Sequence, residues 1–336
     1  MAIRERFLRT LNFEKPDDRL PMIEWAPWWG ETTARWSKEG LPKDMSQEDC
    51  VNYFRLDPKF LIYGGGKSRR CPKPSTHGGS IMEDEEDYQY IREFLFTDDI
   101  IENAKKRAME LKERHDDGKI IIRLWLDGFF WFPRTLFGIE NHLYAFYDYP
   151  ELMHKINEEL SDFNIRMIEE LSEILVPDMV GFAEDMSYNH GPMLSYDLFK
   201  EFLVPYYQKV NPYIKERGIK IFVDSDGDVT NMIPWLLEAG IEGVFPLEKQ
   251  AGVDIVKLRE DYPTLLMMGG YDKMVMSKGR EAMEREFERL FPVMKSGGYI
   301  PSVDHQTPPE VSLDNYRIYL ELFNKYTHMA VEHMTY

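Results

Sequence analysis

The sequence predicts an α/β protein built as a single (β/α)8 TIM barrel with an N-terminal elaboration. Short apolar segments of strand character alternate with amphipathic helical segments, and eight such strands can be counted. The 336 residues suit a barrel with additional helices. A doubly wound open sheet is the competing interpretation. Because no internal repeat or linker divides the chain, one domain is expected over 1–336.

The predicted strands are short, bounded by Gly, Pro or Asp, and continuously apolar. Strands buried on both faces, in a parallel sheet covered by helices, have this pattern. They are Leu20–Trp25, Lys59–Tyr63, Ile120–Leu126, Asp178–Phe182, Ile219–Val223, Gly243–Leu247, Leu265–Met268 and Tyr299–Val303.

The predicted helices lie between the strands and carry apolar residues at helical spacing. They are Asp98–His115, Ile139–Leu175 (two helices meeting near Pro150), Tyr196–Arg217, Val229–Ala239, Lys278–Lys295 and Leu313–Thr327. Ser195 and Ser312 are the expected N-caps, since each is followed by an acidic residue in the first turn. Three glycines stand where C′ residues end helices: Gly218, Gly240 and Gly297.

Composition narrows the function classes. The chain has 41 Lys+Arg against 59 Asp+Glu, a formal net charge of −18, which argues against nucleic acid or an anionic membrane as a partner. Cys50 and Cys71 are too few for a disulfide framework or a cysteine-built zinc site. No apolar run is long enough to span a membrane, and the N-terminus is charged, so a cytoplasmic protein is expected.

In a (β/α)8 barrel the active site lies at the C-terminal ends of the strands. Polar residues follow the predicted strands at these ends: Glu24, Lys67, Arg69, Arg70, Asp127, Glu184, Asp185, Tyr188, His190, Asp224, Asp226, Glu248, Tyr271, Asp272, Asp304 and His305. A lone Asp after a strand is commonly a helix cap, and Asp228 is interpreted as a cap or turn residue.

Asp224 and Asp226 are the strongest acidic candidates. Their side chains point the same way two residues apart, and two carboxylates facing one cavity need a cation or a shared proton. Among the histidines His305 is the best functional candidate, whereas His190 remains open between a surface and a functional role. Asp185 is a further candidate acid.

Two aromatic clusters lie on predicted loops at the same end: Trp25, Trp28, Trp29 and Trp36, and Phe129, Phe130, Trp131 and Phe132. Two interpretations are compatible: a lid packed on the N-terminal extension, and a wall for a flat, mostly apolar ligand or a docking face for a macrocycle. Trp28, Trp29 and Trp131 are expected around one pocket mouth. The candidate substrate-binding residues are Trp25, Trp28, Trp29, Trp131, Tyr188, His190 and Glu248.

Five segments resemble the uroporphyrinogen decarboxylase superfamily: Phe222–Val229, Leu237–Glu248, Gly269–Lys273, Gly297–His305 and Thr307–Tyr316. The likeness covers essentially the whole chain and is most specific in its last third. It implies a (β/α)8 barrel with the site at the strand C-termini, in agreement with the pattern of strands and helices.

Porphyrinogen decarboxylases of this superfamily carry an arginine-rich segment after the first strand, where arginines hold the carboxylates of the substrate. The corresponding stretch here, Met22–Gly30, has no arginine and contains Glu24. An octa-anionic substrate would be repelled there, so decarboxylation of uroporphyrinogen is not expected.

The other large branch comprises corrinoid-dependent methyltransferases, whose thiol-methylating members bind zinc through a His-x-Cys pair and a later Cys. Here the pair is Asp224-Ser225-Asp226, and the later region ends in Asp304-His305. Both departures remove sulfur ligands. An oxygen-rich site on Asp224, Asp226 and His305 could still hold zinc or another hard divalent ion, or no metal.

The resemblance implies a cobamide-dependent methyltransferase of anaerobic one-carbon metabolism. It would remove a methyl group from a small methylated donor, such as a methoxylated aromatic, and pass it to a partner corrinoid protein. Asp226, His305 and Asp185 are the expected catalytic residues. The alternatives are a decarboxylase or lyase of a small ring compound or tetrapyrrole, and a non-catalytic corrinoid-binding barrel.

Overall fold

The computed structural model describes residues 1–26 and 28–334. Its strands are β1 (Lys59–Tyr63), β2 (Ile121–Asp127), β3 (Met179–Ala183), β4 (Ser187–Tyr188), β5 (Gly191–Pro192), β6 (Lys220–Asp224), β7 (Gly243–Phe245), β8 (Leu266–Tyr271) and β9 (Tyr299–Val303). Seven form one parallel sheet in the order β1-β2-β3-β6-β7-β8-β9, and β4 and β5 form a separate antiparallel hairpin. The sheet curls into a barrel-like fold surrounded by helices, which confirms the predicted fold class.

The α-helices are α1 (Ile3–Leu11), α2 (Gly30–Lys38), α3 (Gln47–Tyr53), α4 (Glu85–Ile91), α5 (Asp98–Asp116), α6 (Trp131–Phe137), α7 (Ile139–Asp148), α8 (Pro150–Ser172), α9 (Tyr196–Phe202), α10 (Val204–Glu216), α11 (Ile233–Glu238), α12 (Ile255–Asp261), α13 (Arg280–Met294) and α14 (Leu313–Glu332). None of those in the described part of the chain is both long and apolar enough to cross a membrane.

Every helical segment predicted from the sequence contains helix. The expected junction near Pro150 separates α7 from α8. The predicted helix Tyr196–Arg217 divides at Leu203, because Pro205 begins a new helix in its first turn. Both serine N-caps are confirmed: Ser195 Oγ accepts from the Leu198 amide at 3.2 Å, and Ser312 Oγ caps α14 in the same way.

The prediction that Leu20–Trp25 is a strand is wrong. This segment, all of it described, joins no β-ladder, although it lies between β9 and β1. The Met22 amide donates to the Asp57 carboxylate at 2.9 Å, and the Trp25 amide donates to Ser302 Oγ at 3.2 Å. Met22 also accepts from the Asp57 amide at 2.8 Å, but side chains take the other two amides, so no ladder forms and the barrel wall is incomplete beside β1.

The N-terminal end of the barrel is closed by α1 and filled with apolar side chains. Thr10 accepts a hydrogen bond from the Gly298 amide at 2.8 Å, and Arg4 Nε donates to Asp178 at 2.6 Å. The interior cluster is Phe7, Leu11, Ile23, Ile121, Met179, Phe222, Phe245, Leu266, Met268 and Ile300. Polar inward-facing residues are thereby concentrated at the opposite end, where the strands finish.

Candidate active site

A cavity of about 270 Å³ lies at the C-terminal ends of the strands and is called the strand-end cavity here. It brings together Asp185, Asp226, His305, Trp25 and Trp131, which come from widely separated parts of the sequence. Its lining is Trp25, Ala26, Trp125, Trp131, Ala183, Asp185, Asp224, Asp226, His305 and Gln306. One face is therefore acidic and the other is rich in tryptophan.

The acidic group, defined as Asp226, Glu248 and His305, belongs to the loops after β6, β7 and β9. Its ligand-type atoms all lie within 4.8 Å of one another, and His305 Nε2 is 3.8 Å from Asp226 Oδ2. Glu248 accepts from the Gly227 amide at 3.0 Å and lies 3.5 Å from Lys273 Nζ. Two carboxylates and an imidazole thus meet one ammonium group.

The electrostatic balance of this group is negative. Burial, together with the nearby Asp185 and Glu248 carboxylates, raises the pKa of Asp226 to about 7 against the opposing effect of Lys273. Burial and the Lys273 charge lower the pKa of His305, which favours a neutral imidazole. A group with this balance can bind a cation or retain a proton.

Two carboxylates and a neutral imidazole are donors that zinc and harder divalent ions accept, so the residues present fit such an ion. The predicted member Asp224 is not in the acidic group, because its carboxylate bonds to Arg123 Nη2 at 2.9 Å. Asp224 is the last residue of β6 and faces the barrel interior, whereas Asp226 lies in the loop beyond. Glu248, predicted as a substrate-binding residue, occupies the place expected of Asp224.

Glu184 is a structural carboxylate at this end. It is fully buried and accepts from the amides of Phe129, Phe130 and Trp131 at 2.8, 2.8 and 3.0 Å, and from the Tyr207 hydroxyl. Burial raises its pKa to about 7, whereas the four donors favour the ionised form. Glu184 therefore fixes the turn that begins α6.

Asp304 is a second structural carboxylate and is also fully buried. It accepts from the Lys249 amide at 3.0 Å and the Lys273 amide at 3.2 Å. These amides belong to the loops after β7 and β8, so one side chain ties both loops together. Asp304 precedes His305 and thereby holds it beside Asp226.

The aromatic clusters are only partly at the mouth, and the prediction for Trp28 is wrong. Trp28 is buried and packs against Trp36, Phe54 and Tyr316 with ring centroids 5.7–6.2 Å apart, because α2, α3 and α14 enclose it. Trp29 is 45% exposed outside this core. The hydrophobic core that contains Trp28 also contains three residues of the second aromatic cluster: Phe129, Phe130 and Phe132.

Tyr188 and His190 stand outside the strand-end cavity, on the β4–β5 hairpin. Their rings contact each other at 5.7 Å, and both residues are exposed. The hairpin packs closely on Gly227, where an added Cβ would lie 2.7 Å from the Tyr188 backbone. These two predicted substrate-binding residues therefore lie on a hairpin above the loop that carries Asp226.

Sequence reasoning missed the cations of the site. Arg123 and Lys59 lie within segments that read as continuously apolar strands, and Lys273 follows β8. Side chains of a strand alternate between its two faces, and Arg123 lies between the outward-facing Ile122 and Leu124 of β2. This alternation could have predicted that Arg123 faces the barrel interior. Lys59 donates a hydrogen bond to the Trp25 carbonyl group.

A second cavity of about 570 Å³, called the side cavity, opens where the barrel wall is incomplete. It adjoins β1, α3 and the segment 20–26, and it shares Trp25, Ala26, Trp125 and Asp224 with the strand-end cavity. Lys59 and Arg123 also line it.

Fold and site together define a (β/α)-barrel protein with a polar site at the C-terminal ends of its strands. The chain belongs to the uroporphyrinogen decarboxylase (URO-D) family, whose family model matches residues 134–326. That region contains every residue of the acidic group.

Among solved structures, a methyltransferase from Methanosarcina mazei is similar with a TM-score of 0.64 and 15% identity, covering 97% of this chain and 99% of that chain. A hyperthermophilic β-glucosidase mutant has a TM-score of 0.43 and 15% identity, covering 77% of each chain. The first likeness shows a shared fold, and the second is too distant to support an argument. A search of curated proteins found no match.

Proposed function

We propose that this protein is a methyltransferase that removes a methyl group from a small methylated donor and passes it to a corrinoid carried by a partner protein. The observation that carries the proposal is the acidic group beside the tryptophan-lined strand-end cavity. Family membership and the fold shared with the Methanosarcina mazei methyltransferase support it.

Demethylation of an ether breaks the bond between methyl carbon and oxygen, and the electron pair stays on oxygen. The corrinoid supplies the nucleophile that takes the methyl group. Because an alkoxide or phenolate leaves poorly, its oxygen must be protonated or coordinated as the bond breaks. The acidic group is the part of the cavity that can meet this requirement.

Asp226, Glu248 and His305 would hold a divalent cation such as zinc, which would withdraw charge from the donor oxygen as a Lewis acid. Without a cation, a proton held between Asp226 and His305 serves the same oxygen, which needs one proton for each methyl group removed. Asp185 lies in the same cavity and adds negative charge that retains either the cation or the proton.

Trp25, Trp125 and Trp131 supply the apolar side of the cavity. Flat indole surfaces suit an aromatic donor and exclude water from the breaking bond. The Arg134 guanidinium lies 5.3 Å from the Trp131 ring and donates to the Asp185 carbonyl group at 2.8 Å, so it fixes both sides of the cavity. A methoxylated aromatic is therefore the proposed donor class.

Uroporphyrinogen is a poor candidate substrate despite the family relationship. Asp185, Asp226 and Glu248 would face its carboxylates and repel them. We expect no enzyme-like formation of coproporphyrinogen by the purified chain. Formation at such rates would contradict the proposed function.

The test is anaerobic turnover of the full chain with a reduced corrinoid protein and separate methoxylated aromatic, methylated amine and methyl thioether donors. We expect demethylated phenol and methylated corrinoid in equal amounts from the aromatic donors. Glu248→Gln should lose activity, whereas Glu281→Gln, at a carboxylate 92% exposed elsewhere on the surface, should retain it.

Three results would contradict the proposal. Release of CO2 from a ring acid without methyl transfer would favour a lyase. Tight binding of the corrinoid protein with no turnover of any donor would favour a non-catalytic barrel. Equal activity of Glu248→Gln and Glu281→Gln would mean that turnover does not depend on the acidic group.

A further inference from the structure

The side cavity exists because the segment Leu20–Trp25 makes no ladder with β1. Leu61 and Tyr63 of that strand are consequently 45% and 50% exposed, which is unusual for strand residues of a barrel. The opening of about 570 Å³ falls within the roughly 300–1,000 Å³ typical of small-molecule pockets. It is therefore large enough for one substituted aromatic ring.

One buried cation, Arg123, and one half-buried cation, Lys59, stand at one end of this cavity. Arg123 is only 4% exposed and donates to Asp224 at 2.9 Å. Lys59 donates to the Trp25 carbonyl group, and among the described residues no carboxylate oxygen lies within ion-pair distance of its ammonium group. Glu24, the other acid near Lys59, accepts from Ser302 and Tyr316 hydroxyls. The lining also contains Glu48 and Arg107, whose charges are opposite. With Asp224 offsetting Arg123, one positive charge is in excess when Lys59 is protonated and Glu24 is neutral.

Arg123 has further capacity to bind an anion. Within the described part of the chain its Nε is buried without a hydrogen-bond acceptor. Its guanidinium lies 5.1 Å from the Trp125 ring and 4.4 Å from the Phe245 ring, so aromatic faces hold it from the sides. A buried donor without a partner is costly, and an incoming carboxylate would relieve that cost.

The side cavity and the strand-end cavity adjoin each other, because Trp25, Trp125 and Asp224 line both. Positive charge lies at the Lys59 end, the tryptophans lie between, and the acidic group lies beyond. A ligand matching this sequence of environments has an anionic end, a flat ring and an uncharged polar end.

We propose that the side cavity binds the carboxylate end of a small aromatic acid, with the carboxylate at Lys59 and Arg123 and the ring against Trp25 and Trp125. Resting on the proposed function, this assignment names the donor as a methoxylated aromatic carboxylate whose methoxy group reaches the strand-end cavity. Binding itself requires neither the corrinoid protein nor turnover.

The experiment is calorimetric titration of the full chain with 4-methoxybenzoate and with its uncharged counterpart, 4-methoxybenzamide. We expect the acid to bind at least about 10-fold more tightly, since its carboxylate makes charge-assisted hydrogen bonds that the neutral amide cannot make. Lys59→Met should remove most of that preference, and Lys59→Arg should retain it. Lys119→Met, at an exposed lysine near the other end of the barrel, is the matched control.

Equal affinity of acid and amide for the unaltered protein would overturn the assignment, and that comparison needs no folded variant. An acid preference that survives in Lys59→Met would overturn it as well. Tight binding of the acid without methyl transfer would contradict the proposed function and leave the binding site standing. If uncharged methoxyarenes were turned over as efficiently as the acids, the binding site for the carboxylate would be contradicted and the proposed function would stand.

Discussion

Two sets of carboxylates lie at the same end of the barrel and differ in what surrounds them. The anchored carboxylates, Glu184 and Asp304, are fully buried and accept backbone hydrogen bonds from neighbouring loops. In the acidic group, Asp226 is 44% exposed and faces His305 at 3.8 Å. Burial raises the pKa of Glu184, Asp304 and Asp226 alike to about 7, so the pKa alone does not distinguish them.

The number of hydrogen bonds that each carboxylate accepts therefore separates the structural acids from the acids available for chemistry. Glu184 accepts four hydrogen bonds, which fill the roughly four acceptor sites of a carboxylate, and each oxygen of Asp304 accepts from an amide, whereas Asp226 faces an imidazole in a cavity. Substitutions in the two sets should therefore affect different quantities: stability in the first and turnover in the second.

The largest expected effect is on turnover in Asp226→Asn. Losing an acid–base or ligand group should lower kcat by roughly 100-fold or more, while the melting temperature stays close to that of the unaltered protein. Elemental analysis of protein purified without chelators should show whether any bound divalent metal is lost as well. Asp314→Asn, at a carboxylate 86% exposed, is the control. Near-normal activity of Asp226→Asn combined with His305→Ala would rule out this active centre.

Glu184→Gln should give the complementary result. The amide nitrogen would face amide donors of residues 129–131, so we expect a loss of about 1–3 kcal/mol in the free energy of unfolding. Urea denaturation measures it, and activity at a temperature where the variant remains folded should fall less than in Asp226→Asn. A variant with unchanged stability and lost turnover would instead make Glu184 part of the chemistry.

The barrel and its active end could be predicted because they depend on repeated local signals. Continuous apolarity identified all seven strands of the parallel sheet. Ser195 and Ser312 marked the starts of helices because a serine hydroxyl can accept a hydrogen bond from an amide of the first turn. Leu20–Trp25 has the same composition as a strand. Its failure to pair depends on Asp57, a residue far along the chain that satisfies the Met22 amide.

The site was predictable only in outline. Loop positions after strands indicated Asp226 and His305, but which carboxylates meet is set by tertiary geometry. Asp224 turns to Arg123, and Glu248 reaches the group from another loop. Trp28 was misplaced for the same reason, since a tryptophan-rich loop has the same sequence pattern whether it lines a pocket mouth or packs into the core.

Two cations of the side cavity, Arg123 and Lys59, differ in the same way, because Arg123 is paired with a carboxylate and Lys59 donates to a carbonyl group. The pH dependence of ligand affinity tests the role of Lys59. Burial, together with the nearby Arg123 charge, lowers the pKa of Lys59 to about 7 against the opposing effects of Asp224 and Glu24. Only protonated Lys59 attracts a carboxylate, so affinity for 4-methoxybenzoate should fall several-fold between pH 6 and 8.5. Ionisation of Glu24, with a pKa raised by burial to about 7, acts in the same direction. Lys59→Arg should leave only the weaker pH dependence that Glu24 contributes, and a flat profile in the unaltered protein would contradict the role of Lys59.

The smallest expected effect comes from Gly181→Ala, which leaves every charge in place. An added Cβ at Gly181 would lie 2.6 Å from Arg123 Nε and 3.1 Å from its Cζ, so the guanidinium must shift. Arg123 can move because it is a long side chain, and the fold should survive. We expect affinity for 4-methoxybenzoate to fall about 3- to 10-fold, about 0.7–1.4 kcal/mol, with affinity for the uncharged amide unchanged. Equal losses for both ligands would mean that Gly181 shapes the cavity without positioning Arg123.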